Sequence, residues 1–282
     1  MRSDASAADP TPVLRLDHRP ATLGNWLGGL WRFRGVLIAL ARKDFQVRYK
    51  RATLGVLWSV ALPLLQSIVL VFIFSRVGGF GSGHSFSYAG FVLAGMVPWV
   101  FVSTSIIAST TSIVDASGLT DKVWFPRAIL ALVPPCANLL LLATATAILL
   151  VELPLVGVTP NVRLLLLVPA AALAVLFASS VGLVLAALYV YFRDLKFMVA
   201  AVILVWLYVT PIVYPASALG SAGRWLDLNP LTGIVGLFQT AAVGAPGPSA
   251  RAVVVSLGST AVLMVAAAAI HRRYDRLFVD LL

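Results

Sequence analysis

A chain of 282 residues that is 60% hydrophobic and 11% charged, with a mean hydropathy of +0.96, is far below the roughly one-quarter charged content of a soluble domain. The net charge of +10 is unevenly placed: ten of the 21 Lys and Arg residues precede Thr53, beside the first apolar run, where they suit anionic lipid rather than nucleic acid. The lone cysteine, Cys136, excludes an intramolecular disulfide.

Residues 1–27 are polar, contain proline and lack a signal-type apolar core, and read as a disordered cytoplasmic tail. Residues 28–51 follow as an amphipathic helix in the cytoplasmic interface. Leu30, Phe33, Leu37, Leu40, Ala41, Phe45 and Tyr49 recur at spacings of three and four on one face. Arg32, Arg42, Lys43 and Lys50 fall elsewhere on the wheel, while Arg34 and Arg48 land near the apolar side and must extend toward water. Asp44 and Arg48 are spaced for an i,i+4 ion pair.

Residues 52–271 read as a six-helix transmembrane domain, with 272–282 as a cytoplasmic tail. Uncharged runs at 55–75, 88–109, 128–151, 164–189, 197–214 and 252–270 each suffice for the hydrocarbon core, which takes about 20 helical residues. With both ends inside, the cytoplasmic segments hold 17 Lys and Arg against 4 on the opposite side, which orients the chain. Between the fifth and sixth runs, residues 231–243 are apolar but too short to span, and "NP" precedes them. One or two short re-entrant helices in the outer leaflet, beginning near Asn229 and Pro230, are predicted; an interfacial helix without a pathway role is the alternative. The fold class is therefore all-α, a polytopic membrane protein.

Chemistry-bearing motifs are lacking. There is no GxxxxGK[ST] phosphate cradle, no HExxH, no GxSxG and no Cys/His metal spacing. His18, His84 and His271 are isolated and read as solvated side chains of tails and loops. The single Glu, Glu152, falls at the outer end of the third run, and the six runs hold no Asp, Lys, Arg or His to carry a proton or ion. Uphill transport by this chain would need energy from another subunit.

Four blocks nevertheless resemble the ABC-2 type permeases that export polysaccharides, the O-antigen, teichoic acid and galactan exporters. They are "RKDFQVRYKRATLGVLWSVALPLLQ" at 42–66, "GLTDKVWFPR" at 118–127, "LNPLTGIVGLFQTAAVG" at 228–244 and "RRYDRLFVDLL" at 272–282, in the order and spacing of six spans. The resemblance implies a non-enzymatic transport subunit in the cytoplasmic membrane that works as a homodimer. Two separate ABC ATPase subunits would bind ATP and Mg, this chain would bind no cofactor or metal, and the cargo would be a polyprenyl-pyrophosphate-linked glycan.

It also implies roles for particular residues. Leu119, Asp121, Lys122, Trp124, Phe125 and Arg127 would contact the ATPase; "WFPR" taken alone equally suits an interface anchor. The helix bearing Arg42, Lys43, Phe45, Arg48, Tyr49 and Lys50 would pack on the ATPase and the membrane surface, lipid anchoring alone being the alternative. Asn229, Pro230, Leu237 and Phe238 would belong to outer gate helices. A sugar path needs aromatic faces and hydrogen-bonding partners. Trp58, Trp99, Phe101, Trp206 and Tyr208, with Gln66 and Asn138, are the candidates, although Trp and Tyr near span ends also serve as lipid anchors. Rival readings are an ABC-2 exporter of drugs or hydrophobic small molecules, a membrane-embedded transferase or scaffold, and a passive channel.

Overall fold

In lipid the backbone must satisfy its own hydrogen bonds, and uncharged runs of this length can do so only as helices or closed barrels. The computed structural model describes residues 22–50, 57–76, 86–120, 125–155, 157–159 and 161–274, and among these every regular element is helical. Helix α1 spans Leu23–Arg32 and α2 spans Arg34–Tyr49, with Phe33 between them in a non-helical conformation. The Thr22 hydroxyl caps α1 by accepting from the Asn25 N–H at 3.3 Å. Among the described residues helical structure starts at Leu23, within the segment expected to be tail, and the expected single amphipathic helix is two.

The next elements are α3, Leu57–Arg76; α4, Tyr88–Asp115; the short α5, Ser117–Thr120; and α6, Ala128–Leu155. A 3-10 turn, Val162–Leu166, leads directly into α7, Leu167–Tyr191. Then come α8, Leu195–Val209; a 3-10 segment, Ala216–Ala222; α9, Gly223–Leu226; α10, Pro230–Val243; and α11, Ala250–Tyr274.

Among the described residues, four helices are long and apolar enough to cross a membrane: Tyr88–Asp115, Ala128–Leu155, Val162–Tyr191 and Ala250–Arg273. In the region of the expected fifth span, 197–214, the regular helix α8 has 15 residues and rises about 22 Å of a core of about 30 Å, so a crossing there would include the irregular segment after Val209. Pro211 is the cause. It drives Thr210 out of the helical region, to ψ 134, and ends α8 at Val209.

Helix α4 is the hub. Of its apolar window 72% is buried within the chain, against 22–39% for the other three spans, and it packs on α3, α6, α7, α8 and α10. Small residues allow the close approaches. A Cβ on Gly182 of α7 would lie 2.7 Å from the Ser109 Cβ of α4, and one on Gly233 of α10 would lie 2.8 Å from the Ala252 carbonyl of α11.

The apolar interior has two parts. The larger contains Phe101, Phe177, Leu231 and Phe238. The smaller contains Trp26, Ile113, Phe125, Ile129, Ala186 and Ala267, with α2 side chains Val36, Leu37 and Leu40 packed on it, and marks the basic end of the helix bundle. His271 belongs to this end. Contrary to the expected solvated loop histidine, it is fully buried, with Nε2 3.0 Å from the Leu183 carbonyl, because α11 runs beyond the uncharged stretch to Tyr274. His18 and His84 lie outside the described residues.

Replacing Gly182 with Val should drive α4 and α7 apart and destabilise the protein by about 1–3 kcal/mol, the usual range for overpacking. The measurement is the thermal midpoint in detergent. Gly28→Ala, where an added Cβ meets nothing within 4 Å, serves as the control that should not fall.

Candidate functional site

The polar side chains inside this apolar chain gather into two clusters, one where α2 meets the bundle and one where α8 breaks.

At the basic end, the i,i+4 spacing of Asp44 and Arg48 produces the expected ion pair, Nη2 to Oδ2 at 2.6 Å. The planar guanidinium leaves a second nitrogen, Nη1, which donates to the Asn138 Oδ1 of α6 at 3.1 Å. Asn138 is 4% exposed and spends its amide N–H groups on α4, donating to Ser105 Oγ at 3.0 Å and Thr104 Oγ1 at 3.3 Å. Just N-terminal to it, Pro134 and Pro135 lie inside the continuous helix α6. Pro135 has no N–H to offer the Ala131 carbonyl four residues back. The Ser109 hydroxyl of α4 donates to that carbonyl instead, at 2.9 Å.

At the other end, Asn229 caps α10 as the sequence predicts. Its Oδ1 accepts from the Leu231 N–H at 3.0 Å, Pro230 follows in the first turn, and Gly244 ends the helix in the left-handed region at φ 66. The same Oδ1 accepts from the Trp206 indole N–H at 2.9 Å, and Nδ2 donates to Thr210 Oγ1 at 3.0 Å. Gln239, 4% exposed, donates to the Pro211 carbonyl at 3.1 Å, and the Tyr88 hydroxyl donates to the Val213 carbonyl at 2.6 Å. The backbone released where α8 stops is thus satisfied by α4 and α10. The Ser256 hydroxyl of α11 closes the cluster with a bond to the Pro230 carbonyl.

Arg42, Lys43 and Lys50 are exposed along α2 and at its end, Phe45 is half-buried and Tyr49 is the last helical residue. Of the six residues predicted to contact an ATPase, Leu119 lies in α5 while Asp121, Lys122 and Trp124 lie outside the described residues. Phe125 and Arg127 are buried, Phe125 within the cluster that holds Trp26 and Ile113. In the outer segment Leu237 is half-buried and Phe238 is fully enclosed. The candidate lining residues do not converge within one chain. Trp58 and Gln66 of α3 and Tyr208 of α8 are exposed; Trp99, Phe101 and Asn138 are buried; Trp206 is half-buried and edge-on to Phe177 at 6.2 Å.

Sequence reasoning missed Gln239, Tyr88, Thr104, Ser105 and Ser256. A lone amide inside an apolar helix was the available signal for Gln239, since a polar group there must find a partner. Hydroxyls carry no such signal, because each can bond back to its own helix, as Thr104 does to the Val100 carbonyl at 2.6 Å.

The family model for the ABC-2 type transporter matches residues 36–242 of this chain. The chain is 28% identical over 254 residues to a protein from Myxococcus xanthus named "O-antigen export system permease protein RfbA", covering 89% of this chain and 96% of that one. A protein of the same name from Klebsiella pneumoniae is 30% identical over 202 residues, 71% of this chain and 77% of its own length.

Asn229→Ala removes the α10 cap and strands the Trp206 indole, and should lower stability by about 1–2 kcal/mol. Asn229→Asp keeps the accepting oxygen and should retain most of it. Thermal midpoints, with the tryptophan emission maximum to follow Trp206, measure both.

Proposed function

Because this chain belongs to the ABC-2 type transporter family, we propose that it is the permease subunit of an exporter that moves a lipid-linked polysaccharide across the cytoplasmic membrane. The observation that carries this reading is its nearly full-length similarity to a protein named as an O-antigen export permease, 96% of which it covers. O-antigen, galactan and teichoic acid type polymers all fit that cargo class. Two copies form the transport unit, and two separate ATPase subunits bind ATP and Mg at the basic end. The distribution of Lys and Arg supports an inner membrane location with both termini cytoplasmic.

Six crossings by α3, α4, α6, α7, α8 and α11 are consistent with the apolar faces that α3 and α8 leave exposed. A second copy or lipid would cover these faces. The break after Val209, with every named carbonyl partnered by protein, is the kind of irregular backbone that membrane depth allows. Helix α10, capped at both ends and buried on α4, α7 and α11, then serves as the outer gate element. Between α5 and Arg127 the chain would meet the ATPase through Leu119, Asp121, Lys122 and Trp124, with Phe125 and Arg127 as the buried anchor. The polymer path runs between the two copies, where Trp58, Gln66 and Tyr208 offer stacking faces and hydrogen bonds. Closure of the ATPase pair on ATP pushes on the basic end and tilts the permease halves, advancing the glycan.

The test is ATP turnover by this permease co-purified with its ATPase in lipid nanodiscs, with and without polyprenyl-pyrophosphate-linked O-polysaccharide. The glycan should change turnover, and Trp124→Ala should lose that response. Failure to co-purify an ATPase, or a response only to small hydrophobic compounds, overturns the assignment.

A further inference from the structure

Arg48 and Asn138 are 90 positions apart in sequence yet share a hydrogen bond. Asn138 lies ten residues into α6 from Ala128, about 15 Å along the helix axis. The Arg48 side chain is about one-third exposed, so it meets the buried Asn138 from the bundle's edge, where charge-assisted hydrogen bonds hold it in a fixed orientation. Arg48 has two acceptors, Asp44 on its own helix and Asn138 on α6. Asn138 is equally committed, accepting from α2 with its oxygen and donating to Ser105 and Thr104 of α4 with its nitrogen. A single side chain thus ties three helices.

Other described contacts of α2 are different in kind. Val36, Leu37 and Leu40 pack against apolar side chains. Such contacts are non-directional and re-form after a small slide, whereas hydrogen bonds weaken steeply with misalignment. Among the described contacts, Arg48 is thus a directional link from α2 to the membrane helices. That link lies one turn from the Pro134–Pro135 pair of α6. There Pro134 and Pro135 remove two backbone donors, and the Ala131 carbonyl depends on Ser109 of α4. Both the tie and the proline pair are held by the same helix, α4.

We propose that Asn138 is a positioning residue that locks α2 to α4 and α6, so that Asp44–Arg48–Asn138 transmits movement of the basic end to the proline hinge of α6. This rests on the permease reading above, in which force enters at the basic end.

The experiment is a mutant cycle read on the glycan response of ATP turnover, using the complete complex in nanodiscs with polyprenyl-pyrophosphate-linked O-polysaccharide as the probe. Arg48→Gln and Asn138→Leu should each abolish the response, and the double variant should behave like either single one, because both break the same link. Asn138→Asp keeps an acceptor for Arg48 and should restore at least part of the response, which a role limited to packing would not predict. Thermal midpoints separate loss of transmission from loss of fold. If Asn138→Leu does not assemble, Arg48→Gln on the part-exposed α2 decides the matter alone. Retention of the response in Arg48→Gln or in an assembled Asn138→Leu, losses that multiply, or no rescue by Asn138→Asp overturns the transmission role while wild-type response keeps the permease reading intact. An unresponsive wild type overturns that reading, and the transmission role with it.

Discussion

A backbone in lipid has no water to fall back on, so a proline in an apolar helix leaves a carbonyl without its usual donor and a break in a helix leaves more. Polar side chains from other helices meet that requirement at two places in this chain. Pro135 releases the Ala131 carbonyl and Ser109 takes it. Pro211 ends α8, and Gln239 and Tyr88 take the Pro211 and Val213 carbonyls. In each case the donor comes from a helix distant in sequence, so repairing a local break creates a tertiary contact.

The same logic explains why α4 is central. It supplies Ser109 toward α6, Thr104 and Ser105 to Asn138, and Tyr88 to the segment after α8. Close approach requires small residues opposite it, and Gly182 provides one against Ser109. By contrast, α3 and α8 keep broad exposed apolar faces: Leu65, Ile68 and Phe72 on the first, Phe197, Met198 and Val202 on the second. For a membrane protein such faces belong to lipid or to another copy, and they need no polar satisfaction.

Polar contacts at both ends with an apolar middle give the helix bundle a mechanical character. The middle is held by dispersion and close packing, which tolerate small sliding, while the ends are pinned by directional bonds. At the far end the capped α10 is hydrogen-bonded to both α4 and α11.

The membrane class, the approximate places of the four long apolar helices, the Asp44–Arg48 pair and the capped start of α10 were legible in the order of residues. Each of these is local: an uncharged run, a spacing of four, or Asn before Pro is sufficient to specify it. The resemblance of four blocks likewise led to the family to which the chain belongs. Other features emerged only once the helices were packed together or their ends were set by neighbouring groups. Thr22 moved the helical start back to Leu23, Pro211 shortened α8, and an extended α11 buried His271. Arg48 met Asn138 as well as Asp44, and Phe125 and Arg127 turned into the protein interior. A polar residue in an apolar segment announces that it needs a partner, but its helix carries no record of which distant helix will provide one, because that depends on how the helices cross.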